Sequence, residues 1–214
     1  MKLLKKRPIV PFLLGLMLVV ACGELEMPSS SDGTLGRPAV KPAVAAADQI
    51  LVVDANAFGG PGGVIDVDPV TGGQTVVSSA GLFARPTAIA VEADGDIVVA
   101  DWPVFGGLGI LRVDPGTGAQ TVVSAGGHFR TPSDIVIDAA GDLLIVDDDA
   151  FGGPGGIIRV DPVSGAQSVV SSGGSFINPR GLAIEATGDL IVADRDASGG
   201  AVFRVDPVTG SQRS

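Results

Sequence analysis

Four aspartates recur at one position of an internal repeat, and they are the side chains best suited to bind a cation. Asp54, Asp101, Asp147 and Asp194 each follow a short run of valine, isoleucine, leucine or alanine. A ring of such carboxylates could hold Ca²⁺ or another divalent ion, because hard cations prefer several oxygen ligands. Alternatively, each carboxylate accepts hydrogen bonds from its own loop, as in an Asx turn. The sequence assigns no cofactor beyond this candidate cation.

Other polar and aromatic residues stand near these aspartates or in the connections between repeats. His128 is the only histidine, so a Ser-His-Asp arrangement could use only this base. It marks either a specialised loop or drift on an exposed one, and no catalytic residue is assigned. Loops of this kind carry much of the function of repeat scaffolds. The predicted binding face comprises Asp54, Asp101, Trp102, Asp147, Asp149, Asp194, Arg85, His128, Arg130 and Arg180.

The repeat itself is marked by an Asp-Pro step that recurs at spacings of 46, 47 and 45 residues. A period of this size indicates a supersecondary unit that buries its faces by stacking on copies of itself. We divide residues 48–214 into approximate copies 48–84, 85–131, 132–178 and 179–214. The step occurs at Asp68-Pro69, Asp114-Pro115, Asp161-Pro162 and Asp206-Pro207.

Each copy contains four short apolar runs, bounded by Gly, Pro, Asp or Ser as strands are. The second run is apolar throughout, as in Leu143–Val146, which indicates a sheet buried on both faces. The sequence therefore predicts an all-β fold, a β-propeller of four-stranded antiparallel blades. A β-solenoid fits less well, because its coils are shorter and lack two hairpin turns per unit. In the second copy the runs are Thr87–Val91, Ile97–Ala100, Gly109–Val113 and Gln120–Ser124.

The repeat resembles the NHL-type blade and the related regucalcin/gluconolactonase-type and virginiamycin B lyase-type six-bladed propellers. The stretches Pro86–Val99, Pro132–Ile145 and Pro179–Val192, each followed by Arg-Val-Asp-Pro, carry this resemblance over nearly all of residues 48–214. It implies the propeller architecture. A metal-dependent hydrolase of the gluconolactonase type would need carboxylate and amide ligands from several blades, and no such set maps onto these similar copies.

The number of blades is an open question at the level of sequence. The fourth copy stops at Ser214, where its last strand should begin, and Pro42 interrupts the expected first strand of the first copy. We therefore expect about 3.5 to 4 blades, whereas closed propellers have about four to eight. Three arrangements fit: a four-bladed ring with a poor seam, an open arc that completes itself by self-association through its open edges, or a piece of a longer propeller.

The first residues predict export. Four basic residues precede an apolar run, Ile9–Val20, of signal-peptide length, and the segment Val19–Cys22 resembles the bacterial lipobox. The resemblance implies removal of residues 1–21 and lipidation of Cys22, which anchors the protein in a membrane. Residues 22–47 are predicted to be a flexible tether. The predicted location is the cell envelope, at the outer membrane or cell surface if the source is Gram-negative.

Charge bears on the kind of partner. The chain has 14 basic and 24 acidic residues, and four of the basic ones lie before Cys22, so the remainder carries a formal charge of −14. Such a surface repels phosphate backbones, which excludes nucleic acid as the expected partner.

These observations lead to a functional hypothesis with two alternatives. The first is a lipid-anchored propeller module that binds a protein or small ligand at its loop-rich face without catalysis, since near-identical copies argue against a dedicated catalytic centre. The second is a metal-dependent propeller enzyme of the lactonase or lyase type. The third is a structural envelope protein that self-associates.

Overall fold

The computed structural model describes residues 2–5, 49–104 and 107–214. They form four sheets of four antiparallel strands, each in a simple meander, as predicted. The core and C-terminal end of the predicted signal peptide, Cys22 and the tether lie outside the described residues. Within those residues, no helix is long and apolar enough to cross a membrane.

The strands follow the repeat. Blade 1 contains β1 (Lys2–Lys5), β2 (Ile50–Asp54), β3 (Gly63–Val67) and β4 (Gln74–Ser79). Blade 2 contains β5 (Pro86–Val91), β6 (Ile97–Val104), β7 (Gly107–Val113) and β8 (Gln120–Ala125). Blade 3 contains β9 (Pro132–Ile137), β10 (Leu143–Asp147), β11 (Gly156–Val160) and β12 (Gln167–Ser172). Blade 4 contains β13 (Pro179–Ile184), β14 (Leu190–Asp194), β15 (Ala201–Val205) and β16 (Gln212–Arg213).

The Asp-Pro steps form the turns between the third and fourth strands. The Asp161 carboxylate accepts the backbone N–H groups of Val163 and Ser164, both at 2.8 Å. These bonds hold the pKa of Asp161 below its usual value. Gly165 then takes a φ of +72°, and a Cβ there would lie 2.2 Å from the Val123 carbonyl oxygen of the preceding blade. The turn therefore needs glycine both for its backbone conformation and for the approach to its neighbour.

Apolar clusters join each blade to the next. We call the surface that packs on the following blade the forward face and the opposite surface the backward face. Forward faces carry Leu51, Val53 and Val64 in blade 1, Val98, Ala100 and Ile110 in blade 2, and Leu144, Val146 and Ile157 in blade 3. Backward faces carry Ile97, Val99, Leu111 and Val113 in blade 2, Leu143, Ile145, Ile158 and Val160 in blade 3, and Leu190, Val192, Phe203 and Val205 in blade 4. Both faces of blades 2 and 3 are thus buried, which explains their uninterrupted apolar runs.

A glutamine at the start of the fourth strand clamps each blade to the one before it. The Gln167 side chain accepts the backbone N–H of His128 at 2.8 Å and donates to Ser124 Oγ at 3.0 Å. It also donates to the Gly126 carbonyl at 3.2 Å. Gln120 and Gln212 make the same three kinds of contact with blades 1 and 3. We call this set of contacts the glutamine clamp.

The two ends of the arc differ from its middle. The fourth strand of blade 4 is only Gln212–Arg213, which confirms the expected incomplete last blade. Among the described residues, no apolar cluster joins blade 4 to blade 1. At the front, Lys2–Lys5 pairs with β2 as the first strand of blade 1, although these residues belong to the predicted signal peptide. Cleavage before Cys22 would remove this strand.

Candidate functional site

The repeated aspartates lie beneath the predicted binding face and hold its backbone in place. Asp101 and Asp147 are 0% exposed and Asp194 is 3% exposed. The Asp147 carboxylate accepts the N–H groups of Arg130 at 2.7 Å and Thr131 at 3.0 Å, which belong to the connection from the preceding blade. Each of the three carboxylates therefore fixes the crossover that leads into its own blade.

The equivalent contacts recur in blades 2 and 4. Asp101 accepts the N–H groups of Ala84 and Arg85, at 3.0 and 2.7 Å. Asp194 accepts those of Ile177 and Asn178, together with two from its own loop. In blade 1, Asp54 is only half-buried and accepts the N–H of Asn56 at 2.8 Å. Of the two interpretations of these aspartates, the structure favours hydrogen bonding to backbone over a ring of cation ligands.

The pKa of these carboxyl groups depends on how deeply they are buried. Burial raises the pKa of Asp147 above its usual value, although the N–H groups of Arg130, Thr131 and Asp149 act in the opposite direction. Burial likewise raises the pKa of Asp101. At Asp194 burial again favours the neutral form, but the N–H donors from four residues together outweigh it and lower the pKa.

Above the aspartates, blade 2 presents an arginine and the only tryptophan. The Arg85 guanidinium carbon lies 5.0 Å from the centroid of the Trp102 ring, a cation–π arrangement. The Trp102 N–H of the backbone donates to the Arg85 carbonyl at 3.1 Å, so the two residues are held side by side. Trp102 is 37% exposed and Arg85 is exposed. The pair is therefore an amphipathic, pre-ordered surface.

Blades 3 and 4 present charged side chains at the same end. Arg180 Nη2 lies 2.5 Å from Asp148 Oδ2, and Arg180 Nε donates to Asn178 Oδ1 at 2.8 Å. Arg195 and Asp196 form an exposed pair at 3.1 Å. Asp149 is also exposed. The Arg180–Asp148 pair joins blades 3 and 4, so these two charges stabilise the contact between the blades.

The only histidine packs rather than faces a carboxylate. The His128 ring lies 4.8 Å from the Phe151 ring, centroid to centroid, and the Phe151 N–H donates to the His128 carbonyl at 3.3 Å. Arg130, two residues on, donates to the carbonyls of Gly127 and Phe129. These contacts indicate a structural role for His128. Among the described residues, none of them joins His128 to a serine or an aspartate as a Ser-His-Asp arrangement requires.

The loops after the second strands share an unusual backbone in three of the four blades. In blades 1, 3 and 4 they contain a short 3₁₀ turn: Ala57–Gly59, Ala150–Gly152 and Ala197–Gly199. Its central residue, Phe58, Phe151 or Ser198, has a φ between +50° and +64°. Left-handed backbone is costly for such residues and persists where surrounding contacts impose it. In blade 2 the strands β6 and β7 extend into this region instead, and Trp102 lies on that extension.

A group of carboxylates close enough to share a cation lies at the opposite end of blade 2. Glu92, Asp94 and Asp96 offer oxygens within 4.8 Å of one another. Arg112 already engages Glu92 through two bonds, at 2.5 and 2.7 Å. This cluster belongs to one hairpin turn of one blade, so it does not supply the converging ligands from several blades that the enzymatic alternative requires.

Two residues that support this end of the blades were not identified from the sequence. Asn178 contacts Arg180 and Asp196, and Ser133 contacts Asp148, yet neither was among the predicted site residues. Both flank the proline that begins an inner strand, and each differs from its counterparts in the other copies. This variation between copies, at positions next to the crossover, was the sequence signal that could have identified them.

Comparison with known proteins supports the fold. No family model and no curated protein matches the sequence. Among solved structures, a chain of the nidogen/laminin complex matches with a TM-score of 0.61 and 15% identity, covering 78% of this chain and 58% of that one. A gluconolactonase from Xanthomonas campestris gives 0.57 and 16%, covering 77% and 56%. An extracellular domain of a one-component system from B. thetaiotaomicron gives 0.53 and 18%, covering 78% and 22%.

These likenesses confirm the β-propeller architecture and the expected resemblance to gluconolactonase-type propellers at the level of fold. The chain spans less than two thirds of the length of the propellers it matches. They include both an enzyme and a component of a protein complex, so the shared architecture is compatible with catalysis and with binding.

Proposed function

We propose that this chain is a non-catalytic binding module that recognises a protein partner at its crossover-loop end. The observation that carries the proposal is the exposed Arg85–Trp102 pair, 5.0 Å apart, on a rigid support. Tryptophan and arginine are the side chains that most often dominate the energy of protein interfaces. The exposed charges of Asp149, Arg195 and Asp196, at the same end of blades 3 and 4, would supply polar contacts around such an interface.

The contrast between the two ends of the blades also supports binding. The Asp-Pro turns at one end are nearly the same in all four copies, whereas the positions after the repeated aspartates are Ala55, Trp102, Asp148 and Arg195. Different side chains on a repeated scaffold create a specific surface, while the scaffold itself stays constant. The repeated carboxylates are occupied by backbone N–H groups, which leaves them poorly placed for metal-dependent hydrolysis.

The test is site-specific photocrosslinking in the source organism. A photoreactive phenylalanine analogue replaces Trp102 in one variant and Val122, which is 47% exposed on the outer strand of the same blade, in the matched control. We expect a discrete protein adduct from position 102 and none from position 122. Adducts from both or from neither would contradict the proposal. Lactone hydrolysis by the purified protein, with a Ca²⁺- or Zn²⁺-dependent rise in its thermal midpoint, would favour the enzymatic alternative.

We also propose that the module is exported and held in the cell envelope through lipid on Cys22. The basic residues, the apolar run and the cysteine that follows it support this, as does the likeness to an extracellular domain. More than one acyl chain on the cysteine would anchor the protein stably. Detergent phase partitioning should place the wild type in the detergent phase and Cys22→Ser in the aqueous phase. Equal partitioning of the two would overturn the anchor.

A further inference from the structure

The first strand of blade 1 is supplied by residues of the predicted signal peptide. β1 pairs with β2 so that Lys2 lies opposite Val53 and Lys5 lies opposite Ile50. Removal of residues 1–21, as proposed above, leaves the inner edge of β2 without this partner. An unpaired row of backbone N–H and carbonyl groups on a sheet edge readily takes up another strand.

Blade 1 also differs in its repeated aspartate. Asp101, Asp147 and Asp194 each accept N–H groups from the two crossover residues before the proline that begins their blade. Among the described residues, no crossover N–H reaches Asp54, which is half-buried and accepts the N–H of Asn56 from its own loop. Blade 1 therefore carries an acceptor for a crossover but no described donors.

The sequence before blade 1 contains a matching crossover. Residues 30–38 read Ser-Ser-Asp-Gly-Thr-Leu-Gly-Arg-Pro, and residues 78–86 read Ser-Ser-Ala-Gly-Leu-Phe-Ala-Arg-Pro. Five of the nine positions are identical, and the final proline is the one that begins the inner strand of blade 2. Gly36 and Arg37 are the two residues before the proline in the first of these segments, so they match the donors that the blade 1 aspartate lacks.

The spacing between this segment and β2 also fits. Val91 pairs with Ile97, six residues later, across the first hairpin of blade 2. The same interval separates Val44 from Ile50. Val44 therefore falls opposite Ile50, which is the position that Lys5 has in the uncleaved chain.

Pro42 does not prevent this pairing. In blade 2 the Glu92 N–H donates to the Asp96 carbonyl, so the N–H of Ala90, two residues earlier, also points at the second strand. The intervening alternation turns the N–H of Ile89 away from that strand. Counted back from the hairpin, Pro42 stands at the position of Ile89, where a proline removes no hydrogen bond of the ladder.

The segment has one residue more than its counterpart. Pro86 and Val91 are five residues apart, whereas Pro38 and Val44 are six apart. The inner strands of blades 2 and 4 already contain a register shift just after their proline. An extra residue at that point extends an existing bulge and leaves the rest of the strand in register.

We infer that, once residues 1–21 are removed, residues 38–44 take the place of β1 as the first strand of blade 1. Asp54 then accepts two crossover N–H groups, as its counterparts do. The C-terminal part of the predicted tether, residues 22–47, thus becomes part of the propeller. This inference rests on the proposed export, since cleavage frees the edge of β2, and it does not concern binding at the crossover-loop end.

The first test is amide hydrogen exchange, measured on the full chain and on a chain that begins at residue 22. Both carry Cys22→Ser, so that no acyl chain is attached. In the shorter chain we expect the amides of Gly36 and Arg37 to exchange as slowly as the two crossover amides before Pro86. In the full chain they should exchange rapidly, because β1 occupies the edge. Slow exchange in β10 will report that both chains are folded.

A matched pair of substitutions identifies the acceptor. In the shorter chain, Asp54→Ala should abolish the protection of the two crossover amides, because it removes the carboxylate that binds them. The control is Asp66→Ala, which removes another half-buried carboxylate of blade 1 and one bond to the Gln49 side chain. It should leave the protection unchanged.

The second test uses disulfides, again with Cys22→Ser throughout. In the full chain, Leu3→Cys with Val52→Cys should crosslink, since these residues lie opposite each other in β1 and β2. In the shorter chain, Pro42→Cys with Val52→Cys should crosslink instead. Ala43→Cys with Val52→Cys is the matched control and should not, because neighbouring side chains of a strand point to opposite faces.

The contrary outcomes overturn the inference. They are rapid exchange at Gly36 and Arg37 in the shorter chain, protection that survives Asp54→Ala, equal protection in the two chains, failure of the shorter chain to fold, and crosslinking at Ala43 equal to that at Pro42. Both chains are produced directly, so these results do not depend on whether the cell removes residues 1–21. Detergent partitioning tests the anchor and photocrosslinking at Trp102 tests the binding face, so the proposals fail separately.

Discussion

Blades 3 and 4 have nearly the same strands but differ in how much of them is covered. Leu144 in β10 is 1% exposed because blade 4 lies on it, whereas Ile191, at the same position of β14, is partly exposed. Both sheets form, with matching registers between their first three strands. The difference shows that a blade gains much of its buried apolar surface from its neighbour, as in other repeat proteins whose stability is a sum of units and interfaces.

The largest expected effect is a matched pair of truncations at this position. Leu144→Ala should lower the free energy of unfolding by about 2–5 kcal/mol, because it leaves a cavity between two blades. Ile191→Ala should cost less than about 1 kcal/mol, because its side chain is not enclosed. Urea denaturation of both variants checks this.

Equal costs at the two positions would contradict the comparison. If Ile191→Ala were as damaging as Leu144→Ala, the forward face of blade 4 would have to be covered in solution. A protected blade 4 would also be visible as slow amide hydrogen exchange in β15, at the level of β11.

The glutamine clamp provides a second matched pair, with a smaller effect. Gln167→Ala removes three hydrogen bonds to blade 2 and leaves the His128 N–H without its acceptor, which should cost about 1–3 kcal/mol. Gln74 occupies the same position in blade 1, is exposed, and follows no described blade. Gln74→Ala should therefore change stability by less than about 0.5 kcal/mol. Thermal and urea unfolding measure both, and a cost at Gln74 similar to that at Gln167 would reveal a blade packed before blade 1.

The repeat allowed the fold to be predicted nearly strand by strand, because each turn carries its own chemistry. The Asp-Pro steps bind backbone N–H groups, and the uninterrupted apolar runs indicated sheets covered on both sides. The ends were harder to predict. No repeat residue marks Lys2–Lys5 as a strand, and its pairing with β2 depends on a vacant sheet edge and not on local sequence. The extension of β6 to Val104 was also missed, because the predicted second run of this copy ended at Ala100.

The repeated aspartates were found from the sequence, but the part they play in the structure was left open between two interpretations. The predicted second runs ended before Asp54, Asp101, Asp147 and Asp194, whereas in the structure each of these residues lies within its second strand, at the last position in three of the four blades. Whether such a group binds a cation or backbone depends on the crossover that reaches it, about 16 residues earlier in the chain, which sequence spacing alone does not position. The Arg180–Asp148 pair is likewise a contact between blades, invisible within a single copy.

Blades 3 and 4 also differ in the pKa of their buried aspartates. Asp147 and Asp194 both accept crossover N–H groups, yet burial raises the pKa of the first, while the N–H donors around the second outweigh burial and lower its pKa. Blade 3 is covered on both faces and blade 4 on one, so less protein surrounds Asp194. The pKa shifts of the same residue type at the same repeat position thus have opposite directions.

The smallest effect is therefore a difference in sign. The stabilisation linked to the raised pKa of Asp147 is fully present below the usual Asp pKa and is lost as pH rises through the raised value. That of Asp194 is present above the usual pKa and is lost as pH falls through its lowered value. The difference in unfolding free energy between wild type and Asp147→Asn should thus grow as pH falls from about 7 to about 4. That for Asp194→Asn should shrink as the pH falls below about 4. Urea titrations across this range test both. Slopes of the same sign would show that the difference in coverage between blades 3 and 4 does not affect the pKa of these aspartates.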